Sequence, residues 1–329
     1  YGQHLKIVSD LIDSNSGSFY GDDCTKLNIP MSIIGGWHDT FLSGQLDDFK
    51  KMLAAGCPVR LTIGEWCHYS PEMTTLPVYE AVKFGCPAAT GAALSEAPRV
   101  KLYVMGAEEW REYESWPPEG GREKRMYLSL GGALDEKPVE ESGELRYTYD
   151  PEDPTPAVGG RRMLQFPHVE GGRTRNNELE ARSDVLVFTG SELAEDTEVI
   201  GEISAEVWFK SSLKYADIFV RLCDVDENGV STNICDGITG LTNADEAQAV
   251  RIQLSPTAYV FKRGHRIRVQ VSSGAFPEYA RNMGTGEPVA DAVKMLKAEQ
   301  AVIFSPERIS YIALPVLNTR SSTGKGDGK

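Results

Sequence analysis

The stretch that decides the fold class is IPMSIIGGWHDTFLSGQLDDFKKMLAAGCPVRLTIGEWCH, residues 29–68. It begins with a short apolar run, residues 29–34, followed by two glycines, which is typical of a buried parallel strand. A second apolar run, residues 59–63, ends at Gly64 and predicts another such strand. Between the two runs, apolar residues at helical spacing predict an amphipathic helix that ends at Gly56: Leu42, Leu46, Phe49 and Leu53. The stretch therefore predicts a β-α-β unit of an α/β sheet.

From Pro98 onward the pattern is different. The apolar segments are short and β-branched, and Gly, Pro, Asn or Asp residues separate them. Apolar and polar residues alternate most clearly in residues 218–222 and 267–271. Because no amphipathic helices come between the segments, they predict an all-β sandwich, with a jelly roll as the expected topology. The predicted strands are residues 99–105, 125–130, 144–149, 185–188, 202–210, 216–224, 249–254 and 266–272.

The charge and the cysteines of the chain argue against several classes of partner. Its 329 residues include 34 Lys and Arg against 48 Asp and Glu, a formal net charge of -14. This field repels phosphate backbones and anionic lipid surfaces, so we expect no nucleic acid and no membrane as partner. The 6 cysteines form no C-x-x-C pair and no zinc-type ladder. We therefore expect free thiols in a reducing, cytoplasmic compartment, and no metal or other cofactor.

The candidate catalytic residues are Asp39 and His68, which follow the two predicted α/β strands. Open α/β sheets bind their ligands at the carboxyl ends of the strands. An Asp and then a His on successive strand ends match the last two members of a Ser-Asp-His triad in one of its known chain orders. In such a triad the imidazole takes a proton from the nucleophile, and the carboxylate on its other nitrogen holds the correct tautomer.

Two other interpretations of these residues stay open at the level of sequence. Asp39 or Thr40 could cap the helix that follows, and His68 could be a solvated surface residue. A metal site could be built from His38, Asp39 and His68, although no pattern places a further ligand.

Several longer segments resemble one protein family. The runs IPMSIIGGWHDTFLSGQLDDFKKM and PVRLTIGEWCHYS are similar to the end of the catalytic domain in the cocaine esterase and glutaryl-7-ACA acylase (CocE/NonD) family of α/β-hydrolases. That family is related to the X-Pro dipeptidyl-peptidases of the S15 type. Five further segments resemble its C-terminal domain, so that the similarity covers about residues 19–317: PRVKLYVMGAEEWREYESWPP, YTYDPEDPTPAVGG, LEARSDVLVFTG, FKRGHRIRVQVSSGAFPEYARNMGTG and IALPV.

The resemblance implies a fold and an activity. The implied fold is mainly β: residues 1–97 form the last β-α-β portion of an α/β-hydrolase domain, residues 98–318 form a jelly-roll β-sandwich of galactose-binding-like type, and residues 319–329 form a flexible tail. The implied activity is that of a serine hydrolase acting on ester or amide bonds. Its substrate would be a small molecule or a peptide, and a homo-oligomer is left open.

The resemblance also implies roles for two residues. In that family the Asp of a G-G-W-x-D segment and the His of a G-P-W-x-H segment complete the triad, which assigns these roles to Asp39 and His68. The sequence departs from the pattern at Glu65, where proline is usual, at His38, where Tyr is common, and at Gly274, which interrupts the usual serine run. None of these departures removes a triad member.

The sequence contains no nucleophile for this pair. The family's serine lies in an upstream G-x-S-Y-x-G turn, and no G-x-S-x-G occurs in the chain. The nearest string, GSFYG at 17–21, has the wrong spacing, and Cys67 points away from its neighbour His68 on an extended chain. Because the chain also opens on Tyr1 rather than Met, we expect the C-terminal part of a larger hydrolase, inactive alone, with the missing N-terminal part as its partner. The alternative is a protein of a different functional class, a stand-alone β-sandwich binding module without catalytic activity.

Two further motifs favour structural roles. The string DVDENG at 224–229 opens like an EF-hand loop, but position 12 is Cys235, so we predict a hairpin with Asn-Gly at its turn. Trp110 and Trp116 could form a sugar-binding platform, but packing at the domain junction is the commoner role of such residues.

Overall fold

Two β-sheets organise the computed structural model of the chain, which describes residues 21–26, 29–85, 99–138, 140–161, 171–288 and 290–317. Within these residues one sheet has four strands and the other has thirteen, so the fold is mainly β, as predicted. The tail at 319–329 and the string at 17–21, except its last residue Gly21, lie outside the described residues. In the described part of the chain, no helix has the length and apolar character needed to cross a bilayer.

The four-stranded sheet contains the predicted β-α-β unit. Its strands lie in the order β1, β2, β3, β4; the first three are parallel, and β4 is antiparallel to β3. These strands are β1 (Met31–His38), β2 (Val59–Cys67), β3 (Val100–Val104) and β4 (Glu109–Tyr113). The helical segments are a 3-10 helix (Gly21–Lys26) before β1, α1 (Leu42–Ala54) between β1 and β2, and α2 (Pro71–Gly85) after β2. The parallel pairing of β1 with β2 across α1 confirms the β-α-β prediction.

Helix α1 contributes one apolar stripe to the core. Its fully buried side chains are Leu42, Leu46, Phe49 and Met52. Leu53, which the spacing predicted on this stripe, is only half-buried. Positions 52 and 53 both continue a stripe of i, i+3 and i+4 positions, so the spacing alone does not distinguish them.

The strand predicted at residues 99–105 belongs to a different sheet from the one expected. We predicted it as the first strand of the sandwich, but β3 pairs in parallel with β2, with Leu61 opposite Val100. Alternating burial of its side chains suits either sheet, so only the pairing partner decides to which sheet the strand belongs. The next residue, Met105, exchanges backbone hydrogen bonds with Ala258 and Val260, which joins this sheet to the other one.

The thirteen-stranded sheet forms the β-sandwich. Its main path has the order β12, β11, β15, β8, β6, β5, β17, β10, β16, β7; β13 pairs with β10, and β9 pairs with β14 and β17. The strands up to β11 are β5 (Gly121–Leu128), β6 (Ala133–Asp135), β7 (Gly143–Tyr149), β8 (Leu186–Gly190), β9 (Thr197–Gly201), β10 (Ser204–Ser211) and β11 (Ala216–Val225). The others are β12 (Ser231–Leu241), β13 (Gln248–Gln253), β14 (Thr257–Phe261), β15 (Arg266–Ser272), β16 (Ala298–Phe304) and β17 (Tyr311–Leu317). A one-turn helix, α3 (Asn177–Glu180), precedes β8.

Strand β11 is buried on both of its faces. The predicted alternation places Ile218, Val220 and Leu222 in the core, and all three are fully buried. On the other face Arg221 is also fully buried, and its guanidinium donates to Asp236 Oδ2 at 2.9 and 3.2 Å. A buried arginine needs such a partner, because desolvation of an unpaired charge is costly.

The string at 224–229 forms the predicted hairpin. Strands β11 and β12 pair antiparallel up to Val225 opposite Ser231. At the turn, Asp226 Oδ1 accepts the backbone N–H groups of Asn228 and Val230, and Gly229 has a φ of 78°. A left-handed φ of this kind favours glycine. The carboxylate of Asp226 therefore closes a β-turn, which confirms the hairpin prediction.

Candidate active site

Asp39 and His68 meet at the carboxyl ends of adjacent parallel strands. Asp39 is the first residue after β1, and His68 is the first residue after β2. The Nδ1 atom of His68 lies 3.1 Å from Asp39 Oδ2. Asp39 is 1% exposed, whereas the His68 side chain is 29% exposed. The pair therefore has a buried carboxylate behind an imidazole that solvent and ligands can reach.

Both oxygens of Asp39 are engaged. Oδ2 faces His68, and Oδ1 accepts the backbone N–H of Phe41 at 2.9 Å. Helix α1 begins at Leu42 with Phe41 as its N-cap, and no side chain forms a cap hydrogen bond there. Asp39 thus closes a local turn with one oxygen and contacts His68 with the other, while neither Asp39 nor Thr40 occupies the cap position.

A β-bulge lies directly before His68. Along β1 and β2, Gly36 pairs with Gly64, but the next pair is His38 with Cys67. Glu65 and Trp66 therefore lie opposite the single residue Trp37. Bulges of this kind bend a strand and re-aim its side chains, and they are frequent next to active sites. Here the bulge determines the direction in which the chain leaves β2 at His68.

Gly36 is required by the close approach of this bulge. A Cβ atom at Gly36 would lie 2.1 Å from the carbonyl oxygen of Trp66. Any larger residue would displace the end of β2, because the obstacle is backbone rather than a flexible side chain.

The turn after β2 presents the imidazole between two aromatic rings. The backbone N–H of Cys67 donates to Ser70 Oγ at 3.0 Å, and the Ser70 N–H donates to the Cys67 carbonyl at 3.0 Å. The His68 ring lies 5.1 Å from the Phe41 ring and 5.0 Å from the Tyr69 ring, measured between centroids. Cys67 is buried at the end of β2. With Nδ1 directed at Asp39, Nε2 is the nitrogen available to a reacting group.

His38 is buried beneath the β-sandwich. Its imidazole is 2% exposed, and a Cβ atom at Gly172 would lie 3.6 Å from its Cδ2. Burial, together with the nearby positive charge of Arg173, lowers the pKa of His38 to about 4, although Asp236 acts in the opposite direction. Its Nε2 atom has no hydrogen-bond partner among the described residues. In the same part of the chain, no group of three or more His, Cys, Asp or Glu side chains is arranged to hold a metal ion.

The buried His38 should make folding sensitive to acid. The unfolded chain takes up the proton near pH 6.5, whereas the folded chain takes it up only near pH 4, so stability falls as the pH drops through this window. We expect wild type to lose about 2 kcal/mol more unfolding free energy than His38→Phe between pH 7.5 and pH 5. Urea unfolding of this chain at the two pH values measures the difference. Equal losses in the two proteins would contradict the assignment.

The two tryptophans singled out in the sequence have different surroundings. Trp116 is buried, and its ring lies 5.7 Å from that of Trp37. Trp110 is 40% exposed, and its ring lies 5.7 Å from Trp66 and 5.4 Å from Tyr103. Trp110 and Trp66 line a cleft of about 400 Å³ beside α2. Trp116 therefore has the predicted packing role.

Sequence reasoning missed Arg173, which contacts the bulge that precedes His68. Its Nε and Nη2 atoms donate to the two carboxylate oxygens of Glu65 at 2.5 and 2.8 Å. The two residues are 108 positions apart. Glu65 stands out only as a departure from the family's usual proline, and no local pattern marks Arg173 or links the two residues.

Comparisons with known proteins agree with this architecture. A family model described as the X-Pro dipeptidyl-peptidase C-terminal non-catalytic domain matches residues 92–313. Cocaine esterase of Rhodococcus sp. (strain MB1 Bresler) is 32% identical over an alignment that covers 88% of this chain and 57% of that protein. The chain thus spans little more than half the length of this relative.

Two solved structures have the same fold. The crystal structure of an aminopeptidase from the marine sediment archaeon Thaumarchaeota archaeon gives a TM-score of 0.76 at 25% sequence identity, covering 89% of this chain and 56% of that chain. An α-amino acid ester hydrolase gives a TM-score of 0.76 at 23% identity, covering 90% and 57%. Fold and sequence matches together define a hydrolase-family chain with an X-Pro dipeptidyl-peptidase C-terminal domain. The chain belongs to the CocE/NonD family of α/β-hydrolases.

Proposed function

We propose that this chain is the C-terminal part of a serine hydrolase that cleaves ester or amide bonds. The observation that carries the proposal is the contact between His68 Nδ1 and the buried Asp39 carboxylate at 3.1 Å, on the ends of neighbouring parallel strands. This is the arrangement in which an imidazole accepts a proton from a nucleophile.

In the proposed reaction, His68 Nε2 takes the proton of a serine hydroxyl while the serine oxygen forms a bond to the substrate carbonyl carbon. The tetrahedral intermediate then collapses: the ester or amide bond breaks, and His68 returns the proton to the leaving oxygen or nitrogen. A water molecule repeats both steps on the acyl-enzyme and releases the acid. Asp39 holds Nδ1–H throughout and stabilises the imidazolium.

We propose that the serine belongs to an upstream segment that completes the α/β domain. No G-x-S-x-G occurs in this chain, and the chain spans 57% of cocaine esterase. Strand β1 is the outer strand of the described sheet, so further strands can pair along its free edge. The polypeptide that consists of this upstream part followed by the present chain is called the complete hydrolase below.

We assign the β-sandwich a non-catalytic role in this protein. The matching family model is described as a non-catalytic domain, and in this chain Asp39 and His68 both lie on the α/β sheet. The similar proteins are an esterase, an aminopeptidase and an amino acid ester hydrolase by name, which supports an acyl or peptidyl substrate. The jelly-roll topology is part of this proposal, whereas the pairing of β2 with β3 and of β3 with β4 places residues 100–113 on the α/β sheet, beyond the boundary expected near residue 98.

A fluorophosphonate probe tests the proposal, because it labels only an activated serine. We expect the complete hydrolase to be labelled and the present chain alone to remain unlabelled. Labelling of the complete hydrolase should be lost in His68→Gln. His265→Gln serves as the matched control, since it changes a histidine in the turn between β14 and β15 that contacts a different carboxylate, Asp224, at 2.8 Å. Covalent labelling of the isolated chain, or none of the complete hydrolase, would contradict the proposed division.

A further inference from the structure

Arg173 links the β-sandwich to the strand that carries His68. Its guanidinium forms a two-pronged contact with Glu65, with Nε–Oε1 at 2.5 Å and Nη2–Oε2 at 2.8 Å. The side chains of Arg173 and Glu65 are only 21% and 24% exposed. A bidentate, partly buried pair of this kind is geometrically specific, unlike an exposed ion pair with one contact.

The segment that carries Arg173 is held firmly on the sandwich. The backbone N–H groups of Gly160 and Gly172 each donate to the other's carbonyl, at 2.9 and 2.8 Å. The amide of Asn233, on β12, donates to the Gly172 carbonyl at 3.0 Å and accepts the Thr174 N–H at 2.8 Å. Because Asn233 is itself buried, Arg173 extends from a fixed point rather than from a flexible loop.

A second carboxylate completes the contact. Arg173 also donates to Glu108, with Nη1–Oε1 at 2.8 Å. Glu108 lies in the turn between β3 and β4, has a φ of 56°, and accepts the Gly106 N–H at 2.9 Å and the Tyr103 hydroxyl at 3.0 Å. Although burial alone would lower it, the hydrogen bonds to Glu65 and Glu108 raise the pKa of Arg173, so the guanidinium stays charged.

Glu65 occupies the part of β2 that strand pairing constrains least. The pairing of β2 with β3 covers only Leu61 to Ile63. On the other side, Glu65 and Trp66 form the bulge opposite Trp37. The bulge leaves an unpaired residue in the ladder, so the contact of Glu65 with Arg173 adds a constraint that strand pairing does not supply here. Cys67 and His68 follow this segment directly.

We propose that Arg173 is a positioning residue for His68: through Glu65 it holds the bulge of β2 in the conformation that places the imidazole on Asp39. This inference rests on the proposed function. It assigns the non-catalytic β-sandwich a definite positioning role, which is to orient the general base without touching the substrate.

The test uses Arg173→Met and Glu65→Gln in the complete hydrolase, with p-nitrophenyl acetate as substrate. We expect kcat to fall roughly 10- to 100-fold with KM little changed, because a displaced general base impairs the reaction more than binding. The acid limb of the plot of kcat against pH should move to lower pH, since an imidazolium farther from Asp39 is less stabilised. Arg173→Lys keeps the positive charge but cannot form the bidentate contact, so it should give an intermediate kcat.

Arg182→Met is the matched control. Arg182 also bridges two carboxylates, with Nε–Asp184 Oδ1 at 2.8 Å and Nη2–Asp153 Oδ2 at 3.2 Å, but it lies within the sandwich. This variant should be destabilised about as much as Arg173→Met, while its kcat and the acid limb of its kcat–pH profile remain those of wild type. The proposal is overturned if Glu65→Gln and Arg173→Met lower only the melting temperature. In that case fluorophosphonate labelling of wild type still supports the proposed function, whereas an unlabelled wild type overturns both.

Discussion

Asp39→Asn in the complete hydrolase is expected to lower kcat by roughly 10³- to 10⁴-fold while leaving the fold nearly unchanged. The structure supplies the reason. Asp39 Oδ1 accepts the backbone N–H of Phe41, so an asparagine would direct its carbonyl oxygen there and its NH₂ group toward His68. His68 Nδ1 would then have to accept a hydrogen bond, which places the proton on Nε2. In that tautomer Nε2 cannot take a proton from serine.

The opposite orientation of the asparagine amide would not restore the reactive tautomer of His68. Turning the amide would direct its NH₂ group at the Phe41 N–H, so that two donors would face each other in a buried site. The measurement is steady-state hydrolysis of p-nitrophenyl acetate, with circular dichroism to confirm folding. Asp47→Asn is the control, since Asp47 is an exposed residue of α1 that pairs with Lys50 at 2.9 Å. A loss under about tenfold would argue against the role assigned to Asp39.

Asp236→Ala is expected to destabilise the β-sandwich by about 3–5 kcal/mol. The substitution leaves the guanidinium of Arg221, which is fully buried, without its carboxylate. Two acceptors would remain for Arg221 Nη1: the Val158 carbonyl at 2.7 Å and Asn176 Oδ1 at 3.0 Å. Neither carries a full negative charge, so the desolvated cation stays uncompensated.

Urea unfolding of the present chain measures this effect. Glu192→Ala, which removes an exposed partner of Arg266, should cost under about 1 kcal/mol. Replacing both members of the buried pair, as Arg221→Met with Asp236→Leu, should destabilise less than Asp236→Ala alone, because no unpaired charge is then buried. A double variant that is less stable than Asp236→Ala would show that loss of the pair itself, rather than the unpaired charge of Arg221, dominates the loss of unfolding free energy.

The local elements of the chain were predictable because their causes are local. The apolar run before Gly35 and the stripe of Leu42, Leu46 and Phe49 predicted β1 and α1, and both form. The Asn-Gly turn at residue 228 likewise depends on a few neighbouring residues and their backbone conformations. Asp39 and His68 could be named as candidates for the same reason, since each directly follows a recognisable strand.

Partners far apart in the chain were not predictable in this way. The strand at residues 99–105 has an alternating pattern that suits either sheet, and only its register with β2 assigned it. The alternation in β11 placed its apolar face correctly, but nothing local indicated that Arg221 would be covered as well. Burial of the second face depends on segments that pack from elsewhere in the chain.

The sequence by itself determined the β-α-β unit, the strand-rich remainder, and the two residues that follow the strand ends. Tertiary structure alone decided that Asp39 Oδ2 lies 3.1 Å from His68, that a bulge directs His68, and that Arg173 holds this bulge through Glu65. The physical reason is that strand and helix patterns arise from neighbouring residues, whereas a contact across 108 positions exists only once two sheets have packed together.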